Sequence, residues 1–380
     1  MIYMDNAATT FPKPDAVYEK IMKAMKEYGA NPGRSGHRMA LEASRDIFHT
    51  RELISKLFNI ENPLDIALTF NCSIALNYAI GGFLHSGDHI ISTTMEHNSV
   101  LRPLNEIRKK GVKVSIVKAD ENGLIDPLDI EREINPDTKL IEMTHISNLT
   151  GTIEPIERVG EIARRNNIIF LVDAAQSAGV YDIDVKKMNI DLLAFSGHKS
   201  LFGPQGTGGL YVNEEIELYP IICGGTGSFS HSVEQPILMP DHLESGTLNA
   251  PGLSGLGEGI RFIMKEGMEK IRKHEEDITF LFLELLKDSD KIIVYGTKTK
   301  GTQAPVVALN IKGKDSSEVS EILDEKYDIA VRPGLHCAPL AHSTIGTDRE
   351  GALRFSFGYF NTEEEVRKAA YALLNIAEGE

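Results

Sequence analysis

A lysine that directly follows an apolar run is oddly placed for a solvated charge. Lys199 is such a residue, inside the glycine-rich stretch Ser196-Gly197-His198-Lys199-Ser200-Leu201-Phe202-Gly203-Pro204-Gln205-Gly206-Thr207-Gly208-Gly209. An amine at such a position can hold an aldehyde cofactor as a Schiff base, the requirement of pyridoxal 5'-phosphate (PLP) enzymes. The plain alternative is a surface lysine in a loop. The glycines lack the strand-then-helix setting of a dinucleotide fingerprint and suit a tight hairpin. Upstream, Ile168–Asp173 reads as a buried strand, and Asp173 ends it, where ligands of α/β sheets bind. A carboxylate there can pair with a pyridinium nitrogen and strengthen the ring as an electron sink, or it can simply cap a loop. Asn71-Cys72-Ser73 begins a helix after a strand. Free N–H groups and the positive dipole end make a phosphate cradle there, with Ser73 adding a hydroxyl; plain N-capping explains the same residues. Cys337 lies in Arg332-Pro333-Gly334-Leu335-His336-Cys337-Ala338-Pro339. A loop so rich in Gly and Pro favours a reactive, exposed thiol over a small buried hydrophobe. His336, Cys337 and His342 show no paired-ligand spacing, so no metal site is expected.

These residues need a scaffold. From residue 66 the pattern predicts strands at Ile66–Phe70, His89–Thr94, Lys113–Ala119, Leu140–Thr144 and Ile168–Asp173. Helices are predicted at Ser73–His85, Ser99–Lys110 and Ile156–Asn167. Strands spaced by helices imply parallel pairing in a doubly wound α/β sheet. Leu192–Ser196 and Gly209–Val212 add two closer strands. Leu253, Leu256, Ile260 and Ile263 begin a long amphipathic helix suited to linking two domains. Strands are expected at Ile292–Tyr295, Val306–Ile311, Ile329–Val331 and Leu353–Phe357, with a helix at Ser316–Tyr327. A last helix starts at Thr362 with a capping box to Glu365.

Composition narrows the function classes. A net charge of −15 argues against a nucleic-acid surface. No apolar run reaches the length of a membrane span, and the first residues lack a signal-peptide pattern. The three scattered cysteines do not form a disulfide framework. A cytoplasmic location with free thiols is the expectation.

Taken together, the motifs resemble those of the cysteine desulfurase and selenocysteine lyase family, among the class V aminotransferase-like, fold-type I PLP enzymes. The match spans nearly the whole chain, from Tyr3-Met4-Asp5-Asn6-Ala7-Ala8-Thr9-Thr10 to Leu353-Arg354-Phe355-Ser356. It implies a mainly parallel seven-stranded sheet with helices on both faces (residues 15–255), plus a smaller α+β domain (1–14 and 256–380). It also implies roles. His97, in Met95-Glu96-His97-Asn98-Ser99, stacks on the PLP ring and moves protons, and Asn148 touches the ring hydroxyl side and the substrate. Asp173 and Gln176 meet the ring; Cys72, Ser73, Ser196 and His198 lie on the phosphate side; Lys199 is the Schiff-base lysine. Thr247, in Glu244-Ser245-Gly246-Thr247, reaches the phosphate of the other subunit's cofactor, implying a homodimer. Arg354 clamps the substrate carboxylate, a task its planar fork suits. The cysteine segment resembles that of the group with a short catalytic-cysteine loop, although Leu335 and Ile74 stand where a histidine and a glutamate are common.

The activity so implied converts L-cysteine to L-alanine and leaves the sulfur on Cys337 as a persulfide for an acceptor protein. Thiolate attack on sulfur is facile chemistry near neutral pH. Two rivals are a different class V enzyme (aminotransferase, β-lyase, or one selective for selenocysteine or cysteine sulfinate) and a non-catalytic sulfur-relay scaffold. The first would not need Cys337; the second would not need Lys199 and Asp173.

Overall fold

The structure, a computed structural model, describes residues 1–33 and 36–379. It opens with strand β1 (Ile2–Tyr3) and helices α1 (Asp15–Glu27) and α2 (Arg38–Phe58). Strands and helices then alternate through β2 (Ile66–Thr69), α3 (Cys72–Phe83), β3 (His89–Thr93), α4 (Asn98–Lys109), β4 (Lys113–Val117), α5 (Pro127–Glu133), β5 (Thr138–Thr144), α6 (Ile156–Arg165) and β6 (Ile169–Asp173). Strands β7 (Leu192–Ser196) and β8 (Gly208–Val212) follow.

These strands form one seven-stranded sheet in the order β2-β8-β7-β6-β5-β3-β4. The pairs from β7 to β4 are parallel, as crossover helices require. Only β8 runs against its neighbours β2 and β7. Every residue of β3, β7 and β8 is buried, as expected where both faces are covered. Alternate side chains feed two cores: Ile91, Ile141, Phe170 and Leu193 point to one face, and Ile90, Leu140, Leu171 and Leu192 to the other. Among the described residues no helix is long and apolar enough to cross a membrane.

One expectation needs correcting. β7 and β8 do form a hairpin, with Ser196 opposite Gly208, but it is not tight, because residues 197–207 make a folded loop. Its glycines serve close approach. A Cβ on Gly197 would sit 2.2 Å from Thr207 Oγ1, and one on Gly203 2.7 Å from the Gly197 carbonyl. Hydrogen bonds from Gly203 N to Gly197 O and from Phe202 N to Lys199 O fix the loop around Lys199.

The helix predicted to begin near Pro251 is two helices. In α7 (Ala250–Glu266), Leu253, Leu256, Ile260 and Ile263 are buried on one face. Gly267, at φ +89, ends it before α8 (Met268–Leu286). Beyond lie β9 (Ile292–Val294), β10 (Val306–Ile311), α9 (Ser316–Tyr327), β11 (Ile329–Ala330), β12 (Arg332–Gly334), α10 (Pro339–Thr344), β13 (Ala352–Ser356) and α11 (Glu363–Glu378), which starts with the predicted capping box. A four-stranded antiparallel sheet runs β12-β13-β10-β9. The expected strand at Ile329–Val331 is present as β11, which pairs with β1, and a further strand that the sequence did not suggest, β12, joins β13. Met4 packs in the core of this second sheet, and Ser356 N donates to its carbonyl. The first residues of the chain are thus seated by nearly the last.

Candidate active site

The carboxyl ends of β5, β6 and β7 and the first turns of α3 and α4 surround one cavity. Such a place, beyond the strand ends of an open α/β sheet, is where ligands bind. Asp173 lies at its floor. Its Oδ1 accepts the Ala175 N–H at 2.9 Å and the Cys72 thiol at 3.3 Å. Burial pushes this carboxyl upward, opposed by the Ala175 N–H and the charge of Lys199. Lys199 lines the same cavity, and burial lowers its pKa, with Asp173 resisting. Its ammonium donates no hydrogen bond among the described residues.

At one wall, Asn71 caps α3 through Ile74 N, leaving the N–H groups of Cys72 and Ser73 without an acceptor among the described residues. Ser73 Oγ meets Ser99 Oγ at 2.6 Å. His97 caps α4, its Nδ1 accepting Ser99 N–H at 3.0 Å. A neutral ring bonded in this way carries its proton on Nε2. Burial, aided by the charges of Lys199 and Arg332, depresses the His97 pKa to about 4, so the ring is neutral at physiological pH.

The opposite wall joins Ser196, His198 and Gln176. Gln176 Nε2 donates to Ala7 O at 3.1 Å. The carbonyl of His198 accepts from Thr10 N, Thr9 Oγ1 and Lys13 Nζ. The N-terminal segment therefore buttresses the lysine loop.

Arg354 and Asn148 stand at the remaining side. Arg354 is 1% exposed; Nη2 pairs with Asp5 at 2.7 Å and Nη1 donates to Asn148 O at 2.9 Å, while Nε is buried without a partner. Asn148 Nδ2 donates to His336 O at 2.8 Å, and Asn98 N donates to Cys337 O at 2.7 Å. Two bonds thus tie the cysteine loop to Asn148, which lines the cavity, and to the start of α4. His336 and Cys337 both adopt left-handed backbone, at φ +49 and +58, a conformation that costs a non-glycine residue about 1–3 kcal/mol. Cys337 is exposed, with the Arg332 guanidinium 3.9 Å from its sulfur. The other free thiols are the buried Cys72 and the exposed Cys223.

Two predicted residues are not among the cavity's lining: Cys337 is tied to it only through its loop and the neighbouring Arg332, and Thr247 stands apart. Thr247 lies by a separate, mainly apolar hollow, its hydroxyl 3.3 Å from Asn31 Nδ2. Two residues assigned no role from sequence do join the site: Asp5 as partner of Arg354, and Arg332 as a lining cation beside the thiol. The arginine that opens the cysteine segment was a visible signal for Arg332; the pairing of Asp5 with Arg354 offered none. Among the described residues no cluster of His, Cys, Asp and Glu could hold a metal.

PLP has an aldehyde, an anionic phosphate and a basic ring nitrogen, and the donor set here suits all three. An unbonded lysine amine, a buried carboxylate and two open helix N–H groups converge, and His198 Nδ1 is buried without a partner. Fold and site together define an α/β enzyme class that works through such a cofactor. The chain belongs to the aminotransferase class-V family, whose model matches residues 2–368, and PLP is the cofactor of that family. It is 36% identical to a probable cysteine desulfurase of Methanothermobacter thermautotrophicus, over 99% of this chain and 94% of that one. A probable cysteine desulfurase of Pyrococcus abyssi is 37% identical over 96% and 92%. Among solved structures, the apo cysteine desulfurase of Thermococcus onnurineus NA1 superposes with a TM-score of 0.93 at 33% identity, covering 100% of this chain and 95% of that one. Cysteine desulfurase CsdA of Escherichia coli gives 0.88 at 27% identity, with 99% and 94% covered.

Proposed function

We propose that this chain is a PLP-dependent cysteine desulfurase that takes sulfur from L-cysteine onto Cys337 and hands it to an acceptor protein. The observation that carries the reading is an exposed thiol beside the guanidinium of Arg332, a residue that lines the Lys199–Asp173 cavity. Bound PLP supplies an electron sink for the substrate α-carbon. Lys199 holds the cofactor, and Asp173 keeps its ring nitrogen protonated. Cys72, Ser73, Ser196 and His198 hold the phosphate; Gln176 and Asn148 orient the ring. Arg354 binds the substrate carboxylate, using the buried Nε that the chain leaves free and an Nη exchanged from Asp5. Lys199, once its amine is free, moves the proton at the substrate α-carbon; desolvation lowers its pKa, which suits it to act as a base. His97, its proton on Nε2, donates or accepts beside the ring.

Cys337 as thiolate attacks the substrate Sγ. The S–S bond forms, the Cβ–S bond breaks, and protonation at Cβ completes L-alanine. Cysteine and enzyme thiol thus become alanine and enzyme persulfide with no outside oxidant. We place the protein with the short-loop group, in the cytoplasm, as a homodimer in which Thr247 serves the neighbouring site. The test is release of L-alanine and, with added reductant, sulfide from L-cysteine by PLP-loaded protein. Equimolar products that vanish in Cys337→Ala are expected. Sulfide that persists there with pyruvate and ammonia in place of L-alanine would move the function to a β-lyase.

A further inference from the structure

Behind Cys337 runs a chain of buried side chains that the reaction does not use. His336 is 2% exposed and His342 0%. Their rings lie 11° from parallel with centroids 5.5 Å apart. His336 Nε2 meets the Arg332 carbonyl at 3.0 Å, His336 Nδ1 meets His342 Nε2 at 3.3 Å, and His342 Nδ1 meets Thr347 Oγ1 at 2.7 Å. One group sets the direction of the whole series. A carbonyl only accepts, so His336 carries its proton on Nε2 and presents Nδ1 as an acceptor. His342 must then donate from Nε2, and its Nδ1 accepts the Thr347 hydroxyl. Every ring nitrogen has one partner of the right kind. Burial lowers the pKa of both rings, that of His336 to about 3, which keeps both in these neutral tautomers.

The series spans the cysteine loop from strand to helix. Arg332 opens β12, His336 adjoins the nucleophile, His342 lies in α10, and Thr347 follows it, its N–H returning to His342 O at 2.8 Å. It therefore closes the turn that holds His336 and Cys337 in left-handed backbone. We propose that His342, backed by Thr347, is a positioning residue for Cys337, acting through His336 to hold the loop in its strained form. The proposal rests on Cys337 being the sulfur acceptor.

The test compares His342→Ala, His342→Gln and Thr347→Val in the PLP-loaded protein. The readouts are kcat and KM for alanine formation, the cofactor absorbance spectrum, and the iodoacetamide alkylation rate of the Cys337 peptide followed by mass. In His342→Ala, kcat should fall about ten- to a hundredfold, the loss typical of a misplaced reacting group. KM and the cofactor spectrum should not change, and the alkylation rate and its pH profile should shift. Thr347→Val should do the same more weakly, and His342→Gln, which keeps a donor toward His336, should recover most of kcat. Unchanged kcat and alkylation in a folded His342→Ala protein overturns the proposal. If that variant does not fold, Thr347→Val decides alone, and wild-type alkylation with wild-type kcat overturns it. Failure of the desulfurase reading is separately visible, as alanine formation that survives Cys337→Ala, while alkylation still reports the loop.

Discussion

Glu275 is a carboxyl group in the wrong solvent. It sits in α8, 3% exposed, beside a small hollow shared with Gln176 and Ser200, and its acceptor need is met by the Tyr359 N–H. Burial pushes its pKa to about 8. The folded state therefore binds this proton more tightly than the unfolded chain. The associated stability is fully present below pH 4.5 and is lost as pH rises toward 8. Glu275→Gln should leave the melting temperature unchanged near pH 4.5 and raise it near pH 8, by on the order of 3 kcal/mol of stability. A thermal melt at the two pH values checks this; a gain at acid pH alone would contradict it. At this scale much of the site was legible. Lys199, Asp173, His97, Gln176, Asn148, Ser196, His198, Ser73, Cys72 and Arg354 line one cavity; Asp173 and Ser196 end strands and Cys72 and Ser73 begin a helix, where pattern reading is strongest, whereas His97, Gln176, Asn148 and Arg354 were readable only through the family resemblance. Asp5 was not legible, since its partner Arg354 is 349 residues away. Neither was the His336–His342–Thr347 series, which depends on how a six-residue helix turns.

At the level of elements, buried strands read clearly as apolar runs, and the amphipathic stripe of α7 is buried where spacing placed it. The failures have physical causes. Helices α1 and α2 carry exposed apolar residues such as Met22, Met25, Leu41 and Phe48, which blur their stripes. β1 is two residues long and exists only through its pairing with β11. The stripe of α7 continues into α8, so only backbone conformation marks the break. Gly267 makes it, at φ +89 with nothing within 4 Å of the place a Cβ would take. Gly267→Ala would meet no clash, so its cost is conformational alone, about 1–2 kcal/mol. Denaturant unfolding should show that loss with the activity retained. A neutral result would mean that α7 and α8 tolerate another junction.

For the whole molecule, the doubly wound sheet followed from strand–helix alternation, while the antiparallel β8 followed from the shortness of its connection to β7. Thr247 lies outside the Lys199 cavity of its own chain. If it serves a neighbour, sedimentation should show a dimer, and Thr247→Ala should release PLP several-fold faster while the dimer persists. A monomer that keeps its cofactor and turns over at full rate would reject that assignment.

The seating of the first residues by the last has a consequence for synthesis. Ala7 and Ala8 line the cavity, but Asn6 and Ala7 are held by Ser356, and Asp5 by Arg354. The ribosome makes this wall first and its support almost last. A nascent chain can complete its seven-stranded sheet, and collect its lysine and aspartate, long before β13 emerges. If Arg354 is the substrate clamp, that clamp is among the last parts of the site to be made, and a prematurely terminated polypeptide would carry Lys199 and Asp173 without it.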